Sequence, residues 1–137
     1  MSSTIDAVRD ELADGPLVYR YSGMQNSEGA FVACSFWMVG ALARVGRSTE
    51  ARGLMDELLP LANDVGIFAE MIVPADEPGG QTFLGNLPQG LSHLSLINAA
   101  LAVDDAGQSV STRSELSERA SVNNGRFVST DSASARG

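Results

Sequence analysis

The sequence predicts an all-α protein, on three observations. Residues 28–44, EGAFVACSFWMVGALAR, are apolar almost all the way round a helix; residues 48–63 carry one apolar stripe opposite a charged face; and residues 88–103 again repeat apolar side chains at helical spacing. Two apolar helices separated by an amphipathic one suggest two inner helices covered by an outer one. With 137 residues, 44% of them hydrophobic, the chain is long enough for one domain with a real core.

Residues 4–12 form a short amphipathic helix: Thr4 caps it, Asp6 sits in the first turn, and Ile5, Val8 and Leu12 recur at spacings of three and four. Asp14-Gly15-Pro16 ends it. Leu17-Val18-Tyr19-Arg20-Tyr21 alternates as an extended segment does, and Ser22-Gly23-Met24-Gln25-Asn26-Ser27 breaks the pattern before the helix over 28–44. After Gly46, Ser48 or Thr49 caps the outer helix with Glu50 in its first turn. Its stripe is Ala51, Leu54, Met55, Leu58 and Leu59, facing away from Arg52, Asp56 and Glu57. Pro60 kinks or shortens this helix, which is expected to end near Asn63, and Gly66 supplies a stop.

The prolines and glycines of residues 74–80, PADEPGG, favour a surface turn. Pro88 suits the first turn of the third long helix, expected to be largely buried through Leu91, Leu94, Ile97, Ala100 and Leu101, with Asn98 as its polar interruption. From Asp104 the composition turns to Ser, Asn, Gly, Asp and Arg, too polar to offset the entropy of ordering. The chain therefore divides into a helical part, residues 1–103, and a disordered polar tail, residues 104–137. Within the tail, residues 111–119 have marginal helical character.

Composition excludes several function classes. A net charge of −8, with the basic residues scattered, leaves no stripe to neutralise phosphates, so nucleic acid is not an expected partner. One histidine and one cysteine cannot build a zinc site, and no calcium loop occurs among the acids; no metal and no cofactor are expected. Cys34, within Phe31-Val32-Ala33-Cys34, is expected to be a small buried hydrophobe in a reducing, cytoplasmic compartment. The N-terminal residues lack the pattern of a signal peptide and the apolar runs are too short or broken to span a bilayer, so no membrane association is expected.

The residue that bears on chemistry is Glu70, the lone carboxylate in Ile67-Phe68-Ala69-Glu70-Met71-Ile72-Val73. A carboxylate that loses water to Phe, Met, Ile and Val is a candidate for acid–base work, since desolvation moves its pKa toward the useful range. A glutamate simply hydrogen-bonded to a backbone amide has the same sequence signature.

The motifs Glu28-Gly29-Ala30-Phe31, Cys34-Ser35-Phe36-Trp37, Ala43-Arg44-Val45-Gly46-Arg47, Ala62-Asn63-Asp64-Val65-Gly66, Leu84-Gly85-Asn86-Leu87-Pro88-Gln89 and Ser92-His93-Leu94 together resemble the C-terminal third of glycoside hydrolase family 15. That family contains glucoamylases, glucodextranases and bacterial trehalases. The resemblance covers about residues 4–103, in family order and spacing. It implies an (α/α)6 toroid of which this chain supplies part, with residues 28–44 and 88–103 as inner helices and 48–63 as the outer helix between them.

The resemblance also implies that Glu70 is the general base, activating water for inverting attack on an anomeric carbon. Met71 stands where bacterial relatives commonly carry a second acid. An inverting glycosidase needs a second carboxyl group, roughly 6.5–9.5 Å from the base. In the family that acid lies upstream of the segment Thr4 matches. The chain is therefore expected to be a fragment, inactive alone, whose disaccharide or oligosaccharide substrate binds once the missing part is present.

Three further residues are candidates for substrate binding. Glu28 matches a position at the mouth of the funnel, and equally serves as a negative charge at the N-terminus of its helix. Trp37 is a sugar-stacking platform or, like Phe36, a core residue. His93 is a substrate ligand or a hydrogen-bonded interior histidine. Asn86 and Gln89 either fix the Glu70 loop through amide hydrogen bonds or, for Asn86, cap the following helix. The alternative function is a helical interaction module. An incomplete ring exposes apolar helix faces, so self-association or pairing with the missing N-terminal part is expected.

Overall fold

A computed structural model describes residues 2–23, 28–74 and 80–128, with the backbone alone for 110 and 120–128. The elements are α1 (Ser2–Leu12), β1 (Ala13–Asp14), β2 (Leu17–Val18), β3 (Ala30–Phe31), α2 (Val32–Arg44), α3 (Ser48–Leu58), a 3-10 turn (Leu59–Leu61), β4 (Met71–Val73), β5 (Thr82–Leu84) and α4 (Gly90–Val128). Helix dominates, as the apolar periodicities require. Two small antiparallel sheets are added to it, β1–β2 and β3–β4–β5. Met1–Ala106 and Gly107–Gly137 are separate compact units.

In the first unit, α2 is the central element. Val32, Phe36, Val39 and Leu42 are fully buried on it, and Ala51, Leu54, Met55 and Leu58 of α3 pack against it. The predicted stripe of the outer helix is therefore correct up to Leu58, but Pro60 tightens the chain into the 3-10 turn and leaves Leu59 exposed. Ser48 lies inside α3 rather than capping it; Arg47 precedes the helix and bonds Glu50, Asp6 and Ser2, tying the starts of α3 and α1 together.

Helix α2 begins four residues later than predicted. Ala30 and Phe31 are drawn into pairing with Ile72 and Met71 of β4, which removes Glu28 from any helix terminus. Phe83 opposes Ile72 in β5. Ile72 is fully buried, so this sheet belongs to the core. Hairpin β1–β2 is anchored on α2 as well: the buried Ser35 Oγ accepts the Val18 N–H at 2.9 Å.

The expectation of a largely buried third helix is reversed in its detail. Its small side chains, Ser92, Ser95, Ala99 and Ala102, face the core, while Leu91, Leu94, Ile97 and Leu101 are 41%, 59%, 55% and 60% exposed. The helix periodicity is present, but close approach to α2, with the Ala99 Cα 4.0 Å from where a Gly40 Cβ would stand, favours small residues at that crossing, while Val103 is buried and Leu96 packs partly against the core. Leu91, Leu94, Ile97 and Leu101 form an apolar stripe on the outside. Pro88 precedes the helix rather than opening it.

Helix α4 runs past Asp104 to Val128, where the sequence predicts a disordered tail. In 107–128 no side chain that is described is buried, and Thr112 Oγ1 donates back to Gln108 O at 3.1 Å. Residues 24–27, 75–79 and 129–137 lie outside the described residues, and with them most of the predicted turn over 74–80 and the end of the tail.

Ser35→Ala leaves the Val18 N–H buried without its acceptor and is expected to cost about 1–3 kcal/mol in denaturant unfolding. Leu94→Glu with Leu101→Glu is expected to reduce hydrophobic-dye binding and self-association, read by fluorescence and sedimentation, because the stripe it charges is already in solvent.

Candidate active site

The site is built on the short segment Phe68-Ala69-Glu70, and its placement begins with the turn before it. Asn63 Oδ1 accepts the N–H groups of Val65 (3.2 Å) and Ile67 (2.7 Å), while the Asn63 backbone bonds Ile67 and Gly66. This Asx-type turn reverses the chain after α3 and gives the Ala62-Asn63-Asp64-Val65-Gly66 motif a structural role. Phe68 then buries its ring edge-on against Phe36 of α2, with centroids 5.2 Å apart.

The main chain of this segment is clamped from the far side by residues 86–93. Gln89 N–H donates to Phe68 O (3.0 Å), Ser92 Oγ to Ala69 O (2.9 Å), and Glu70 N–H to Asn86 O (3.0 Å). Phe68 N–H reaches His93 Nε2 at 3.4 Å. Val32 N–H closes the opposite side on Glu70 O at 3.1 Å. Ser92 is wholly buried. Sequence reading did not single it out as a contact of the Glu70 segment.

The Glu70 side chain is half-buried rather than stranded in apolar surroundings. Its Oε2 accepts from the Asn86 backbone N–H (3.2 Å) and from Asn86 Nδ2 (3.1 Å). Asn86 thus holds the carboxylate and does not cap α4; Gln89 Oε1 takes the Leu91 N–H (3.2 Å) at that helix start. Among the described residues no hydrogen bond falls on Glu70 Oε1.

Glu28 lies on the neighbouring chain, just before Gly29, whose missing side chain lets it lie against the Met71–Ile72 backbone of β4. Its Oε2 accepts from Arg20 at 2.7 Å, and its Oε1 is buried without a hydrogen-bond partner among the described residues. Arg20 was not among the sequence candidates. Its guanidinium stands 5.0 Å from the centroid of Phe31, and the hydrogen bond it donates to Glu28, with the fields of Glu28, Tyr21 and Glu70, holds it more firmly protonated than usual. Arg20 and Glu28 therefore form an ion pair on the strand side of Glu70.

The other two candidates are placed elsewhere. Trp37 is 52% exposed and lines a cleft of about 270 Å³ with Ile5, Val8, Tyr19 and Met38, between α1 and α2; Phe36, its neighbour, is the core residue beside Glu70. The lone thiol, Cys34, is half-buried in the same cleft, and burial pushes its pKa up, against a smaller opposing effect of Arg20. His93 has both ring nitrogens on backbone: Nδ1 stands 2.8 Å from Gln89 O and Nε2 accepts from Phe68. Among the described residues there is no cluster of three or more metal-ligating side chains, and no helix long and apolar enough to cross a membrane.

No protein-family model and no solved structure matches the chain. Among curated proteins it is 40% identical over 107 residues to a trehalase of Mycolicibacterium smegmatis, a match covering 74% of this chain and 15% of that protein. A trehalase of Mycobacterium tuberculosis gives the same identity and coverage. A trehalase of Thermoplasma acidophilum is 37% identical over 107 residues, covering 75% of this chain and 18% of that protein. The chain thus spans less than a fifth of the length of these relatives, and the likeness bears out the resemblance drawn from the sequence motifs.

The backbone contacts of His93 select the tautomer that carries its hydrogen on Nδ1, toward Gln89 O. Long-range 15N–1H correlation spectra are expected to show Nε2 as the unprotonated nitrogen, and the opposite tautomer would disprove the clamp at Phe68.

Proposed function

We propose, from the premise that this chain is a homologue of a segment of trehalases, that it forms the C-terminal part of an inverting α-glucoside hydrolase of the family 15 type, with trehalose as the substrate. In this reading α2 and α4 are inner helices of a partial (α/α)6 toroid and α3 an outer one. The observation that carries it is the geometry of Glu70: a half-buried carboxylate on a clamped backbone, held through Oε2 by Asn86, with Oε1 left for a ligand.

Glu70 acts as general base. It accepts a proton from water as the water oxygen bonds to the anomeric carbon; the glycosidic C–O bond breaks, and the departing glucose oxygen takes a proton from a general acid. That acid comes from sequence upstream of this segment, so the chain alone does not turn over substrate. Glu28 Oε1, buried and unpartnered, is an acceptor that a sugar hydroxyl satisfies, while Arg20 fixes the Glu28 side chain from its other oxygen. The cleft beside Trp37 and the backbone-bound His93 give less support to direct sugar contacts by those two residues.

The exposed stripe of Leu91, Leu94, Ile97 and Leu101 favours association with further helices of the same hydrolase domain, supplied by the missing part, over a free-standing interaction module. A reducing, cytoplasmic setting suits the single thiol.

The test is complementation. The M. smegmatis trehalase, shortened by the segment that this chain matches, is co-expressed with the chain and assayed on trehalose. Turnover is expected only from the pair, and Glu70→Gln is expected to lower kcat by at least about 100-fold, the usual contribution of a general base, while leaving substrate binding in place. Turnover retained by Glu70→Gln removes Glu70 from the base role.

A further inference from the structure

Gly85, the residue before Asn86, is bound to Glu70 by the space its missing side chain leaves. Its φ is +75°, in the left-handed region, and a Cβ placed on it would lie 2.7 Å from Glu70 Oε2, 2.8 Å from Glu70 Cβ and 3.0 Å from Glu70 Cδ. The first demand is common in this chain. Gly15, Gly23, Gly46 and Gly66 also have positive φ, yet a Cβ on any of them would have nothing within 4 Å. Those glycines serve their turns alone. At Gly85, by contrast, the turn lies flat on a carboxylate, and the same turn delivers both donors of Asn86 to that carboxylate's Oε2.

We propose that Gly85 is a positioning residue for Glu70. The backbone of Gly85 forms the wall against which the side chain rests, which fixes the rotamer, commits Oε2 to Asn86 and leaves Oε1 as the oxygen that receives the proton of a water. This role rests on Glu70 being the base, but the contact itself does not, and it can be tested without turnover. A side chain at position 85 displaces the carboxylate because the atoms it meets include the Glu70 Cβ, which lies next to the backbone and cannot swing aside.

The experiment uses the whole chain and an internal control. Gly66→Ala places the same left-handed strain (φ +77°) in open space, whereas Gly85→Ala adds the collision. Denaturant midpoints are measured for both variants, in the parent and in a Glu70→Gly background, together with the scalar coupling across the hydrogen bond from the Asn86 amide nitrogen to the Glu70 carboxyl carbon. Gly85→Ala is expected to lower the midpoint more than Gly66→Ala in the parent and by the same amount as Gly66→Ala once Glu70 is glycine. The coupling is expected to persist in Gly66→Ala and to be lost in Gly85→Ala.

If Gly85→Ala fails to fold, folding of the Glu70→Gly/Gly85→Ala double variant sustains the proposal, and its failure beside folded Glu70→Gly and Gly66→Ala overturns it. Equal midpoints for the two alanine variants in the parent, or a coupling that survives Gly85→Ala, overturn it as well. Loss of turnover in Glu70→Gln bears on the base role alone, so failure of that reading and failure of this one are told apart.

Discussion

The clamp on the Phe68-Ala69-Glu70 backbone is the constraint on which the rest of the site depends. Residues 86–93 take up Phe68 N–H and C=O, Ala69 C=O and Glu70 N–H, and Val32 takes Glu70 C=O. A buried main chain outside regular structure must have its polar groups satisfied somewhere. Here the partners come from the loop between β5 and α4, the start of α4 and the start of α2, so the position of Glu70 is set by three segments at once. The side chain above this backbone is then held by Asn86, through two bonds to one oxygen, and lies against the backbone of Gly85.

This arrangement explains why the motif residues occur as they do. Ser92 and His93 hold backbone, as does the Gln89 amide; Asn63 shapes the turn that delivers Phe68; Gly29 and Gly85 each remove a side chain where two backbones, or a backbone and a carboxylate, come close. Asn63, Gln89, Ser92 and His93 therefore support the site through its backbone. Glu28 differs, because it carries a buried oxygen that the described protein leaves unpartnered.

The packing of α4 has the same logic at larger scale. Its inner face is mostly serine and alanine where it approaches α2, with Val103 and Leu96 also turned to the core, while Leu91, Leu94, Ile97 and Leu101 point away. Exposed leucines at this density gain nothing in water. Among the described residues nothing covers this stripe, and Glu28 Oε1 has no hydrogen-bond partner.

How much of this was legible depended on the range of the interaction involved. Helix type, the α3 stripe from Ala51 to Leu58 and the break in the chain between Asn63 and Gly66 follow from local periodicity and turn chemistry, which the sequence determines by itself. The strands at Ala30–Phe31, Met71–Val73 and Thr82–Leu84 were not legible, because two- and three-residue strands exist only through partners far along the chain. Nor was the facing of α4: periodicity shows that apolar residues share a side, and close approach to Gly40 decided that the small ones face inward. The pairing of Arg20 with Glu28, the use of both His93 nitrogens on backbone and the contact of Gly85 with Glu70 were likewise decided only by the tertiary structure, since each joins groups from separate elements whose distance no local pattern specifies.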